Sequence, residues 1–178
     1  MTQVVFSQVT DALPMLLAAA DTIWRFLGET GSVMSLGMAG LGSAIGIGIA
    51  GQAAAGAWAK EARAGRNLSF TYIILVGMPI SQTLYAMIVM VNMRGVFANA
   101  EVAIADSGLL LGVGLATGMA EMLSAWMQGL VGAAGIRALS DGEGKGLAFI
   151  IIAMGIVETV GIFAMVFLLG MIPEIPAV

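Results

Sequence analysis

Between Val33 and Ala59 the chain carries no charged side chain, and neither does Asn67–Met93. Two further stretches carry one each, Glu121 in Ser107–Ile136 and Glu158 in Gly146–Pro173. Apolar runs of more than about 18 residues are candidates for transmembrane helices, because roughly 20 residues at 1.5 Å each cross the hydrocarbon core. All four stretches are longer than this, so their helices tilt or protrude. Composition agrees: 60% of the 178 residues are hydrophobic and 10% are charged, whereas a soluble domain carries about 25% charged residues. The expected fold is an all-α membrane protein with four transmembrane helices.

The four stretches repeat in pairs. A shift of 76 residues lays Gly42 on Gly118, Gln52 on Gln128, Gly56 on Gly132, Met78 on Met154 and Thr83 on Thr159, with no gap across either hairpin. The same shift puts Gln82 on Glu158, so only the second copy has the acid. Residues 33–96 and 107–173 are therefore read as two duplicated hairpins. Each copy contains two helices, so the repeats are parallel, unlike the inverted repeats of many secondary transporters. Lysine and arginine in short loops set orientation. The first loop, 60–68, has Lys60, Arg63 and Arg66, and the third, 137–145, has Arg137 and Lys145. These loops are expected to be cytoplasmic and both termini outside, in a multi-pass protein of the cell membrane. Residues 1–32 mix apolar side chains with Asp11, Asp21 and Arg25 and lack the basic start of a signal peptide. They are read as an extension, either an interfacial or short helix or a loosely ordered terminus.

Several function classes drop out. The chain has no cysteine and no histidine, which removes disulfides, thiolate chemistry, the usual zinc sites and histidine acid–base catalysis. A net charge of −4 without a basic patch argues against nucleic-acid binding. No nucleotide-binding motif is present, so nothing here hydrolyses a nucleotide.

Spans one and three are rich in glycine and alanine, which let membrane helices approach closely. Spans two and four are bulkier. This partition suits a ring with small helices inside and large ones outside; ordinary small-residue packing within one bundle gives the same pattern.

Glu158 is the outstanding residue. A carboxylate at mid-membrane is costly, and such groups usually serve function. No lysine or arginine lies in any span to pair with it. In span two, Ser81 and Tyr85 share a helix face and Gln82 lies beside them. Pro79 lacks an N–H, which on straight helix geometry frees the carbonyl of Leu75. With Gln128 from span three, these side chains can supply one carboxylate, two amide oxygens, a hydroxyl and a backbone carbonyl. Such an all-oxygen shell with one negative charge neutralises a small monovalent cation, and is too poor in carboxylates for strong calcium binding. Without a metal ion, Glu158 would take up a proton, because an apolar surround disfavours the charged form. Taken singly, Ser81 also reads as a back-bonded helix residue, Gln82 and Gln128 as interhelical hydrogen-bond partners, and Tyr85 as core filler. Glu121, seven residues before Gln128 on nearly the same face, is expected to be a protonated residue facing the lumen of a ring, or else an addition to the ion pathway.

The segments "MPISQTLY", "QGLVGAAGI" and "GKGLAF…GIVETVGI" together resemble the four-helix rotor-ring proteolipid, the c or K subunit, of V/A-type rotary ATPases, in its sodium-pumping branch. The resemblance covers about residues 33–172. It implies a non-catalytic subunit forming a homo-oligomeric ring in membrane lipid, turned by central-stalk subunits and meeting an arginine of the stator a/I subunit. It further implies an ion held by the backbone oxygen of Met78 and by Ser81, Gln82, Gln128 and Glu158, with Tyr85 hydrogen-bonded to the glutamate. Ser81 stands where a threonine is familiar, which keeps the hydroxyl; Glu121 and the N-terminal extension lie outside the pattern. The expected ion is Na+, with H+ carried by a ring of the same family as the alternative; a small secondary transporter or channel with a mid-membrane glutamate is the reading from another class. A proton needs no oxygen shell, so burying Ser81, Gln82 and Gln128 for a proton alone would leave costly polar groups to satisfy.

Overall fold

The computed structural model describes residues 2–175, with side chains from Ala12 onward. Helix α1 runs Thr2–Arg63, α2 Thr71–Gly77, α3 Ser81–Val96, α4 Ala100–Ala105, α5 Ser107–Asp141 and α6 Leu147–Leu169. No strand occurs among the described residues. By length and apolar composition, α1, the α2–α3 segment, α5 and α6 can each cross a membrane.

The boundary read at residue 32 does not interrupt the chain: α1 passes through it as one helix of 62 residues, about 90 Å long at 1.5 Å per residue. The charges of residues 11–29 interrupt the apolar run, and helix propensity does not depend on an unbroken apolar run. Nor does the extension merely lie at an interface. Arg25 Nη2 donates to the Phe97 carbonyl at 3.3 Å, Ser32 Oγ donates to the Met90 carbonyl at 3.4 Å, and a Cβ on Gly31 would come within 2.6 Å of Leu111 Cα. The last two turns before residue 33 thus already pack on the bundle. Leu13, Met15, Leu16 and Leu17 are exposed.

Glycine brings α1 and α5 to backbone contact. A Cβ on Gly114 would collide with the backbone of Gly31, and one on Gly129 with the backbone of Gly46. The bulky helices lie outside this pair. Helix α6 packs on α5 and α3 and leaves Phe149, Ile152, Phe163 and Phe167 exposed; Met154 and Gly161 are its buried residues.

The first and third loops meet at one end, as parallel repeats require. Lys60 Nζ pairs with Asp141, and Arg66 donates to the Ser140 carbonyl. Glu61, 4% exposed, accepts from Tyr72 Oη and from the Ser69 N–H at 3.0 Å, and Trp58 Nε1 donates to the Ser69 carbonyl at 2.7 Å. These bonds satisfy the loop backbone where α1 turns into α2. The third loop turns through Glu143, Gly144 and Gly146, all at positive φ, and two glycines relieve the steric cost. At the other end Asn99 caps α4 by accepting from the Val102 N–H at 3.2 Å.

Candidate ion-binding site

Pro79 sets the local shape of the second span. The chain leaves the α-helical pattern at Gly77, runs Met78–Ile80 as a 3-10 turn and resumes at Ser81. The Met78 carbonyl accepts from the Ser81 N–H and from Ser81 Oγ at 3.0 Å. Ser81 Oγ also lies 3.1 Å from Gln82 Oε1. Three oxygens, Met78 O, Ser81 Oγ and Gln82 Oε1, are thus strung along one edge of the interruption. The Leu75 carbonyl, which straight geometry singled out, points away from this cluster toward α5, where a Cβ on Gly132 would come within 3.2 Å of it.

Helices α5 and α6 supply the rest. Tyr85 Oη donates to Glu158 Oε1 at 2.8 Å. Gln128 Nε2 donates to Glu158 Oε2 at 3.4 Å and to the Met154 carbonyl at 3.3 Å. Gln82 Nε2 donates to Gln128 Oε1 at 3.2 Å. Five of the polar side chains singled out in the sequence, Ser81, Gln82, Tyr85, Gln128 and Glu158, therefore meet in one network. Gln82 and Gln128 are fully buried, whereas Glu158 and Tyr85 are half-buried. Among the described residues no three carboxylate, histidine or cysteine side chains gather, so the cluster is rich in neutral oxygen and carries a single acid.

Ser124 was not anticipated. Its Oγ accepts from Gln82 Nε2 at 3.2 Å and donates to the Val157 carbonyl at 3.1 Å, tying α5 to both neighbours. It stands four residues before Gln128, hence on the same face of α5, and that spacing is the signal the sequence offered.

Glu121 differs from expectation. It is fully buried and faces α6, not a lumen: a Cβ on Gly161 would come within 2.5 Å of Glu121 Oε2. Gly161 leaves the space that the carboxyl fills.

A family model for the C subunit of ATP synthase matches residues 30–93 and again residues 111–171. A-type ATP synthase subunit K of Methanocaldococcus jannaschii is 34% identical over 126 residues, which are 69% of this chain and 53% of that protein. The chain thus spans about half the length of the relative it matches.

Proposed function

The chain belongs to the ATP synthase C-subunit family, and from that premise we propose that it is a rotor-ring subunit of a rotary ATPase that carries Na+ on Glu158. It is a multi-pass membrane protein. The observation that carries the reading is the convergence on one half-buried carboxylate, in spans free of lysine and arginine, of Tyr85, Gln128, Gln82, Ser81 and the Met78 carbonyl.

In this reading Na+ is the cargo. Its ligands are Glu158, Gln128, Gln82, Ser81 and the backbone oxygen of Met78. Gln128 turns its NH2 toward Glu158 and the Met154 carbonyl and its Oε1 toward Gln82 Nε2; a half-turn of the amide that faces the oxygen toward the cation gives up these bonds, and the ion–oxygen contact replaces them. Tyr85 keeps its bond to Glu158 and holds the carboxylate toward the cation. The bound cation neutralises the one acid, so the loaded protomer can pass the lipid face. The bare carboxylate meets an arginine of the stator a/I subunit, which assists release.

Ring formation is supported by the open face of α1. Gly37, Gly40, Gly48 and Gly56 would meet nothing within 4 Å if a Cβ were added, which leaves room for a second copy at backbone distance. The loops 60–68 and 137–145 face the cytoplasm, where central-stalk subunits dock, and both termini lie outside. ATP hydrolysis belongs to other subunits.

The test is ATP-driven uptake of radiolabelled sodium by the reconstituted complex. Uptake that persists with a proton uncoupler is the expected result. No sodium uptake, together with ATP-driven acidification of the vesicles, would make the ring a proton carrier.

A further inference from the structure

Glu121 is the buried ionisable group that the site above does not use. It is 0% exposed, and neither carboxyl oxygen has a hydrogen-bond partner. One helical turn away on the same face, Thr117 Oγ1 is also buried without a partner. Thr117, Glu121, Ser124 and Gln128 form a single stripe down α5 at spacings of four, three and four. The stripe therefore ends at the Glu158 network, with Ser124 as the link.

The internal repeat sets this stripe apart. The shift of 76 residues lays Leu41 on Thr117, Ile45 on Glu121 and Gly48 on Ser124, and it lays Tyr85 on Gly161. The copy without the acid has no polar group at those three positions and a bulky ring where the second copy has glycine. Glu121 and its space at Gly161 both belong to the copy that carries Glu158.

The surroundings decide what such a carboxyl can hold. The titratable groups facing it are Glu158 on α6 and Tyr85 on α3; α1 contributes none over residues 33–59. An ionised carboxylate without donors or a cationic neighbour is strongly disfavoured in such a place. A hard metal cation there would need about six oxygens. Glu121 offers two and Thr117 one, while Ser124 is already committed to Gln82 and Val157. A proton needs no shell. We propose that Glu121 is a second ion-binding group of the protein and holds a proton, so that each loaded protomer carries two different ions, H+ at Glu121 and Na+ at Glu158.

The proposal rests on the sodium reading for the identity of the second ion only, and the two separate experimentally. A resident proton keeps the charge of the pair at one negative unit, which a single Na+ cancels. Infrared spectroscopy of the detergent-solubilised ring at neutral pH and saturating sodium detects a protonated carboxyl directly, since the sodium-bound Glu158 is ionised. The expected result is a protonated-carboxyl band in wild type that survives Glu158→Gln and is lost in Glu121→Gln. Sodium affinity in Glu121→Gln should stay within about threefold of wild type. Absence of the band from the wild-type ring overturns the proposal, and needs no variant that folds. So does a tenfold or greater loss of sodium affinity in Glu121→Gln, because Glu121 would then be lending negative charge to the cation. If instead the ring carries protons at Glu158, sodium leaves the wild-type band unchanged and Glu121→Gln removes only part of it, which retains Glu121 as a proton site and refutes the sodium reading.

Discussion

Glu158 has donors from two other helices, Tyr85 Oη at 2.8 Å and Gln128 Nε2 at 3.4 Å, and the two carry different consequences. The shorter bond joins a hydroxyl to a carboxylate, and bonds to charged groups contribute about 1.5–3 kcal/mol. Tyr85→Phe removes it and leaves the ring in place. Sodium affinity of the isolated ring should fall roughly ten- to hundredfold, since each 1.4 kcal/mol is about tenfold. Equilibrium binding of radiolabelled sodium measures this, and an unchanged affinity would mean Tyr85 is only packing. Glu158→Gln is neutral and nearly isosteric. It should leave insertion and assembly intact and abolish ion-coupled ATPase activity; full coupled transport in that variant contradicts the assignment of the ion to this carboxylate. Both residues were legible in the sequence for a simple reason: polar side chains in a run of apolar ones have nowhere to go but to each other. Ser124 was less legible because a helical serine commonly bonds its own backbone. Glu61 was hidden differently. It follows Lys60 at the edge of a charged loop, and its partner Tyr72 lies across the turn, where no periodicity reaches.

At the scale of elements, glycine decides which helices touch. Gly46 and Gly129 meet backbone to backbone, as do Gly31 and Gly114. The pattern of small residues indicated close approach, and the repeat indicated which spans are equivalent. The shared richness of spans one and three in small residues placed α1 and α5 together on the inside, but it did not give the register of their contact, because spacing within one helix does not name the residue it meets. The length of α1 was likewise not legible: loss of apolar character ends a membrane span, not a helix. Pro79 does interrupt its helix, but the carbonyl turned toward the site is that of Met78, since the chain tightens into a 3-10 turn and redirects the backbone. The α1–α5 contact is testable. Gly129→Leu would force these backbones apart; overpacking of this kind costs about 1–3 kcal/mol or more. The assembled ring should dissociate at lower temperature on detergent gels, and Gly37→Ala, which meets nothing within 4 Å inside the protomer, should leave the protomer's own fold unchanged. A Gly129→Leu ring as heat-stable as wild type would rule out the close contact.

For the molecule as a whole, the duplicated hairpins place the first and third loops at one end, joined through Lys60–Asp141 and Arg66–Ser140. The chain has no cysteine, so single introduced thiols report sidedness without background. Lys145→Cys should react with a membrane-impermeant maleimide from the cytoplasmic side only, and Glu101→Cys from the outer side only; the reverse would invert the topology. The central claim is that Glu158 exchanges a sodium ion, and chemical labelling of the isolated ring tests it most directly. A bulky carbodiimide modifies the protonated carboxyl, and a bound sodium ion keeps Glu158 ionised and shielded. With ionic strength held by potassium, labelling at Glu158 near pH 6 is predicted to fall as sodium rises through the micromolar-to-millimolar range. Labelling at Glu158 that does not respond to sodium would contradict the account.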